Sequence, residues 1–229
     1  MKERLRTTLV LLVLVMATGI AAYKQQVQRT KLVYADSVDL IVLTVDDNEI
    51  SLREMAFYIA YQEKKVQQDA LVYDSEKPEK YWNAYTNQHF VRKVAEDAVI
   101  DMAVHDEIFY QMAVAEGILL DEAEEVYLAN EIGDFFMDLS EEQFLRLGVE
   151  KSDIEQAMRK IALANKYQSV LSQISGEEYD SYDYTGLCYE ALLDQHVIEE
   201  NKEVWDRIAV GSITVNYKKK TVNPTEKAE

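Results

Sequence analysis

Residues 95–120, AEDAVIDMAVHDEIFYQMAVAEGILL, decide the fold. Ala98, Met102, His105, Phe109 and Met112 recur at three- and four-residue steps, so they share one helical face. Ala103, Val104, Ile108 and Ala113 widen that face beyond an amphipathic stripe. A helix that is apolar over so wide an arc is buried against several neighbours, which makes it the expected central post of a helical domain. Gly117 supplies the left-handed C-cap that ends it. The stretch carries no catalytic set, so function has to be sought around it.

Working outward, capping signals recur. Ser51 with Glu54, Ser140 with Gln143 and Ser152 with Glu155 each read as a capping box at a helix start. Asp121 and Glu124 open another helix with the acidic first turn that the helix dipole favours. The central helix is expected from about residue 87 to 116, after a shorter helical piece at 79–87. Two β-branched runs interrupt the pattern, residues 40–45 (LIVLTV) and 213–217 (ITVNY). Two lone strands at opposite ends of a helical domain would leave backbone groups unsatisfied unless they paired with each other. The expected fold is therefore mainly α, with a small two-stranded sheet joining the N- and C-terminal strands. Residues 175–186 (SGEEYDSYDYTG) break the helical pattern and read as the best internal boundary.

Composition narrows the functions. Seven Gly and two Pro in 229 residues disfavour a turn-rich all-β fold. A net charge of -18 argues against a nucleic-acid surface, which needs clustered Lys and Arg. With Cys188 alone there is no intramolecular disulfide and no Cys-based zinc site. His89, His105 and His196 have no metal-ligand spacing, and His105 reads as a structural histidine on the apolar face. No metal and no cofactor is expected. There is no nucleophile elbow, P-loop, HExxH or EF-hand loop, and the paired acids sit in turns and helix starts where capping explains them. A catalytic role is not expected.

The first 23 residues read as an address. Lys2, Arg4 and Arg6 precede an apolar run and then small residues, as in an export signal. Cleavage near Ala21 or Ala22 and retention as a single-pass signal anchor are both open, and the lack of a clean small-x-small site favours the anchor. Either way the body should face out of the cytosol, at the cell membrane or secreted. Residues 24–39 read as a tether, 40–217 as the folded domain and 218–229 as a charged tail.

The order of parts resembles the peptide-binding chaperone domain of the SurA/PrsA-type foldases, related to that of trigger factor. Four stretches carry it: VLTVDDNEISLREMAFY, AVHDEIFYQMAVAEGILLDEAE, FLRLGVEKSDIEQAMRKIALANKY and VWDRIAVGSITVNYK. The resemblance implies an extracytoplasmic chaperone whose partners are unfolded or secreted polypeptides, held in an apolar helical cradle. Such foldases often carry a parvulin prolyl-isomerase insert, for which residues 175–186 leave no room, so isomerase activity is not expected. The lipobox of PrsA is also missing, which leaves the N-terminal apolar helix as the membrane attachment. Candidate peptide-binding residues are Tyr58, Tyr61, Tyr81, Trp82, Tyr85, Phe135 and Phe136, because aromatic side chains offer large, adaptable contact area. The alternative for each is ordinary helix packing. A second functional reading is a scaffold or adaptor for one fixed partner in a cell-envelope or secretion assembly. A deep apolar groove beside Trp82 and Phe135 would favour client binding; a closed, filled core there would favour the scaffold.

Overall fold

The computed structural model describes residues 31–217, together with Gly19. The expected signal or anchor (1–23) and the charged tail (218–229) lie outside the described residues. Among those residues the protein is mainly α, with eight α-helices, a three-stranded antiparallel sheet and a two-stranded hairpin.

Strand β1 (Ile41–Val45) turns at Asp46-Asp47 into β2 (Asn48–Ser51), which leads directly into helix α1 (Leu52–Tyr73). The Ser51/Glu54 capping box is present: the Ser51 N–H donates to Glu54 Oε2 at 3.0 Å. A short helix α2 (Glu79–Trp82) precedes the hairpin β3 (Tyr85–Thr86) and β4 (His89–Phe90). Asn87 and Gln88 both have positive φ, the geometry of a two-residue hairpin turn. The hairpin replaces the helix expected here, because an Asn-Gln turn carries no glycine to announce it.

The central helix α3 runs Val91–Ala115. Every residue from Ala103 to Phe109 is buried, so it is the post that the sequence implied. Its C-terminus is a Schellman motif: Ile118 N–H donates to Ala113 O at 2.9 Å and Gly117 N–H to Val114 O at 3.1 Å, with Gly117 at φ 67°. Helix α4 (Glu122–Asp138), short α5 (Glu141–Leu147) and long α6 (Lys151–Ser175) follow. Helix α6 starts with Glu150 as N-cap and Asp153 as its partner, two residues before the expected Ser152/Glu155 box. Helices α1, α3 and α6 form the core, α3 packing most extensively on α6. Met55, Ile59, Val99, Ile108, Phe109 and Ile154 meet there, fully buried. Helix α7 (Leu187–Leu193), strand β5 (Ile198–Glu200) and helix α8 (Lys202–Trp205) complete the chain.

Three expectations are corrected. The strand that returns to pair with β1 is β5, in register Leu43↔Glu200 and Val45↔Ile198, and β1 is the middle strand of β2-β1-β5. Residues 213–217 are not a strand but part of a looped strap over α1. The lead-in is not a tether from Leu32 onward: Tyr34, Ser37 and Val38 are buried, and Leu32 N–H donates to Arg207 O at 3.0 Å. Gly148 is the reason that packing is possible. It has φ 63°, and a Cβ there would lie 2.4 Å from Ala35 Cα. Residues 175–186 likewise pack on the same body, through the 3-10 turn Tyr179–Tyr182. His105 holds that turn: Nε2 meets Tyr182 O at 2.9 Å, Nδ1 meets Asp106 Oδ1 at 2.9 Å, and the ring packs between Phe109 and Tyr189.

The strap is organised by one carboxylate. Glu63 on α1 is wholly buried, and its Oε1 accepts from the N–H groups of Gly211 (2.5 Å), Ser212 (3.1 Å) and Ile213 (3.1 Å). Its Oε2 accepts from the Thr214 N–H and hydroxyl, both at 2.6 Å. Burial raises the Glu63 carboxyl above its ordinary range, and these donors pull it the other way. On the outer side Arg92 donates to Val210 O, Arg146 to Ile213 O and Gln143 to Thr214 O. Every such contact satisfies a backbone group that a strand would have satisfied in a ladder.

Candidate functional site

Helix α4 is anchored at one end and open at the other. Towards its C-terminus, Phe135 packs on Phe57 of α1 (5.2 Å between ring centroids) and edge-on to Phe136 (5.6 Å), which meets Phe144 of α5 (5.7 Å). Tyr61 also stacks on Phe57, at 6.0 Å. This aromatic ladder fixes α4 to α1 and α5. Leu128 is the single α4 residue that is fully buried, while Val126, Tyr127 and Met137 are exposed.

Between α4 and α6 lies an apolar groove of about 560 Å³. Its floor is Phe57 and Leu128. One bank is Ala123, Tyr127 and Glu131, spaced four residues apart on α4, and the other is Met158, Ile161, Ala162 and Asn165 on α6, with Leu120 at the entrance. The Asp121/Glu124 capping box sets where α4 begins: Glu124 N–H donates to Asp121 Oδ1 at 2.9 Å and Asp121 N–H to Glu124 Oε2 at 2.7 Å. Glu124 also pairs with Lys166 across the groove at 2.5 Å, and Lys166 donates to Leu119 O at 2.8 Å. A second tie, Arg159 to Glu125 at 2.5 Å, joins the same helices beside it and holds the Glu125 carboxyl below its usual range. Two ion pairs thus tie the banks together at this end of the groove, beside its apolar lining.

A second cleft, of about 450 Å³, is ringed by charged side chains and lies on the other side of α6, between it, α1 and α3. Lys160 of α6 reaches the buried Glu107 of α3, which also accepts from Gln111 at 3.0 Å. Tyr58 ends in this cleft. Its hydroxyl lies near the Asp106 carboxylate, and burial, with that carboxylate adding to it, pushes the phenol well above its ordinary range. These charges tie three helices together. Among the described residues no group of three or more His, Cys, Asp or Glu side chains is placed to hold a metal ion.

The seven aromatic residues singled out from sequence fall into two groups that do not meet. Tyr58, Tyr61, Phe135 and Phe136 gather about Phe57, where Tyr58 is core, Tyr61 is exposed and the two Phe are half-buried rungs of the ladder. Trp82, Tyr81 and Tyr85 lie near the start of α3. Trp82 is completely buried, donates from Nε1 to Gln67 Oε1 at 2.9 Å and is covered by Arg92. Neither Trp82 nor Tyr58 presents apolar surface, so the structure beside Trp82 is a filled core, the outcome that favours the scaffold reading there, and any client groove has to lie elsewhere. Tyr81 packs on Tyr73, and Tyr85 stands exposed against Phe90 on the β3–β4 hairpin, 5.0 Å apart. None of the seven lines the groove. The residues that do, Phe57, Tyr127, Met158 and Ile161, come from three helices, and which of their faces converge is not visible in the pattern of any one of them. A helical-face count of α4 would have placed Ala123, Tyr127 and Glu131 together.

Comparison with known proteins finds no matching family model, no matching curated protein and no matching solved structure. Among the described residues no helix is long and apolar enough to cross a membrane.

Proposed function

We propose that this protein is an extracytoplasmic chaperone-like binder of unfolded or exported polypeptides, without isomerase activity, carried at the cell membrane by its N-terminal apolar run. The observation that supports this reading is the groove between α4 and α6, an apolar trough of about 560 Å³ flanked by exposed Val126 and Tyr127. Its size falls among sites of about 300–1,000 Å³ that enclose bound groups well. Met158, Tyr127 and Ile161 are adaptable or large, which suits clients of varied sequence. Burial of client apolar surface supplies the affinity, at about 25 cal/mol per Å² before ordering costs.

The test is suppression of aggregation. The full chain should slow the aggregation of several unrelated unfolded proteins, and Ile161→Asp, which places a charge in the half-buried groove wall, should abolish this while the circular dichroism spectrum stays helical. No suppression with any client overturns the reading. The alternative, an adaptor for one fixed partner, draws on the exposed Tyr85–Phe90 pair of the β3–β4 hairpin. Capture of a single partner, lost on Tyr85→Ser and untouched by Ile161→Asp, would favour it.

A further inference from the structure

The charges around the groove are unequally matched. Helix α4, EAEEVYLANEIGDFFMD, holds six acids and no Lys or Arg. Three of the six are neutralised by bases on neighbouring helices: Glu124 by Lys166, Glu125 by Arg159 and Asp138 by Lys64. The side chains of Glu122, Glu131 and Asp134 have no ion pair or hydrogen bond among the described residues. Only Glu131 of these three lines the groove, where it is exposed. The one cationic side chain in the lining, Lys166, is already engaged by Glu124 and by Leu119 O. An apolar trough therefore ends in one free carboxylate, with no free base to repel a cation.

We propose that the groove selects segments in which apolar residues are flanked by Lys or Arg, and that Glu131 is the residue that reads the flanking charge. This rests on the peptide-binding reading above and adds a specificity to it. The apolar anchors settle between α4 and α6, and a cationic side chain one or two residues away extends its ammonium or guanidinium to Glu131. Segments flanked by Asp or Glu meet an unneutralised carboxylate instead, inside the field of a chain of net charge -18.

The experiment is fluorescence anisotropy on the full chain with two labelled peptides that share an apolar, aromatic-containing centre. One has two Lys at each end and the other two Glu. Exposed charge pairs each shift binding a few-fold, so at low salt the Lys-flanked peptide should bind about tenfold more tightly. The ratio should fall towards one in about 0.5 M salt, where the screening length is only a few Å. Glu131→Lys should cut the ratio at least about threefold. Glu76→Lys, an exposed residue of the loop before α2 that makes the same change in net charge, should leave it unaltered. Equal binding of the two peptides refutes the charge selection while leaving the groove a peptide site. An equal loss in the Glu131 and Glu76 variants assigns the preference to the overall field and refutes the role of Glu131. Failure of both peptides to bind, or a dimer in sedimentation that neither peptide dissociates, removes the peptide site and the selection together.

Discussion

Glu63 offers the sharpest quantitative test of how this fold is closed. Glu63→Gln keeps the volume and one acceptor but turns the other oxygen into an amino group. Suppose the retained carbonyl replaces Oε1. Its three bonds to residues 211–213 then become neutral ones, weaker by about 1 kcal/mol each. On the other side the new amino group faces the Thr214 N–H, which loses its acceptor at a cost of about 1–3 kcal/mol. The Thr214 hydroxyl can rotate to accept, and a buried charge is removed, which offsets part of the loss. The net expectation is a destabilisation of about 3 kcal/mol in urea unfolding. Amide hydrogen exchange should quicken locally across residues 210–216 while the centre of α3 stays protected. Glu63→Ala, which removes all five bonds and leaves a void, should detach the strap altogether. A Glu63→Gln variant within about 0.5 kcal/mol of the parent, with the strap amides still protected, would refute the idea that this carboxylate closes the fold.

Two further outcomes follow from particular residues. Gly117 and Gly148 have similar positive φ, but a Cβ at Gly117 meets nothing within 4 Å, whereas one at Gly148 would lie 2.4 Å from the Ala35 backbone. Gly117→Ala should therefore cost about 1 kcal/mol and Gly148→Ala several-fold more, as thermal unfolding will read, and equal costs would mean that the lead-in does not pack at this corner. The His196 ring, hydrogen-bonded at 2.7 Å, and the Val197 N–H together hold the Asp46 carboxyl below the usual range. A depressed carboxyl stabilises the fold above its unfolded value and loses that contribution as pH falls through the folded one. Fraying of Ile198–Glu200, followed by amide exchange, should thus set in below about pH 4. In Asp46→Asn that acid step should be missing, with β5 already frayed at neutral pH; an unchanged acid step would point to another group.

Much of this architecture was legible in the sequence because its causes are local. The Ser51/Glu54, Asp121/Glu124 and Ser140/Gln143 boxes and the Gly117 Schellman ending each involve residues three to five apart, so the determinants and their effect lie in one short stretch. The wide apolar arc of α3 announced a post with neighbours on several sides, and burial from Ala103 to Phe109 is what such an arc requires.

What only the tertiary structure decided depends on groups far apart in the chain. Ile213-Thr214-Val215 has strand propensity, yet Glu63, about 150 residues earlier, supplies acceptors for its N–H groups and folds it into a loop. The place beside β1 goes to Ile198–Glu200, whose composition reads weakly as strand but whose register the Asp46–His196 contact sets. The groove follows the same rule. Each of its residues sits where its own helix pattern puts it, but how α4 lies beside α6 with Phe57 between them depends on the distant packing of Phe135 on Phe57 and Phe136 on Phe144, joined by the pairing of Glu124 with Lys166 and of Glu125 with Arg159. Local sequence sets backbone conformation through neighbours on one turn; which faces stay open depends on side chains that meet only after the chain has closed.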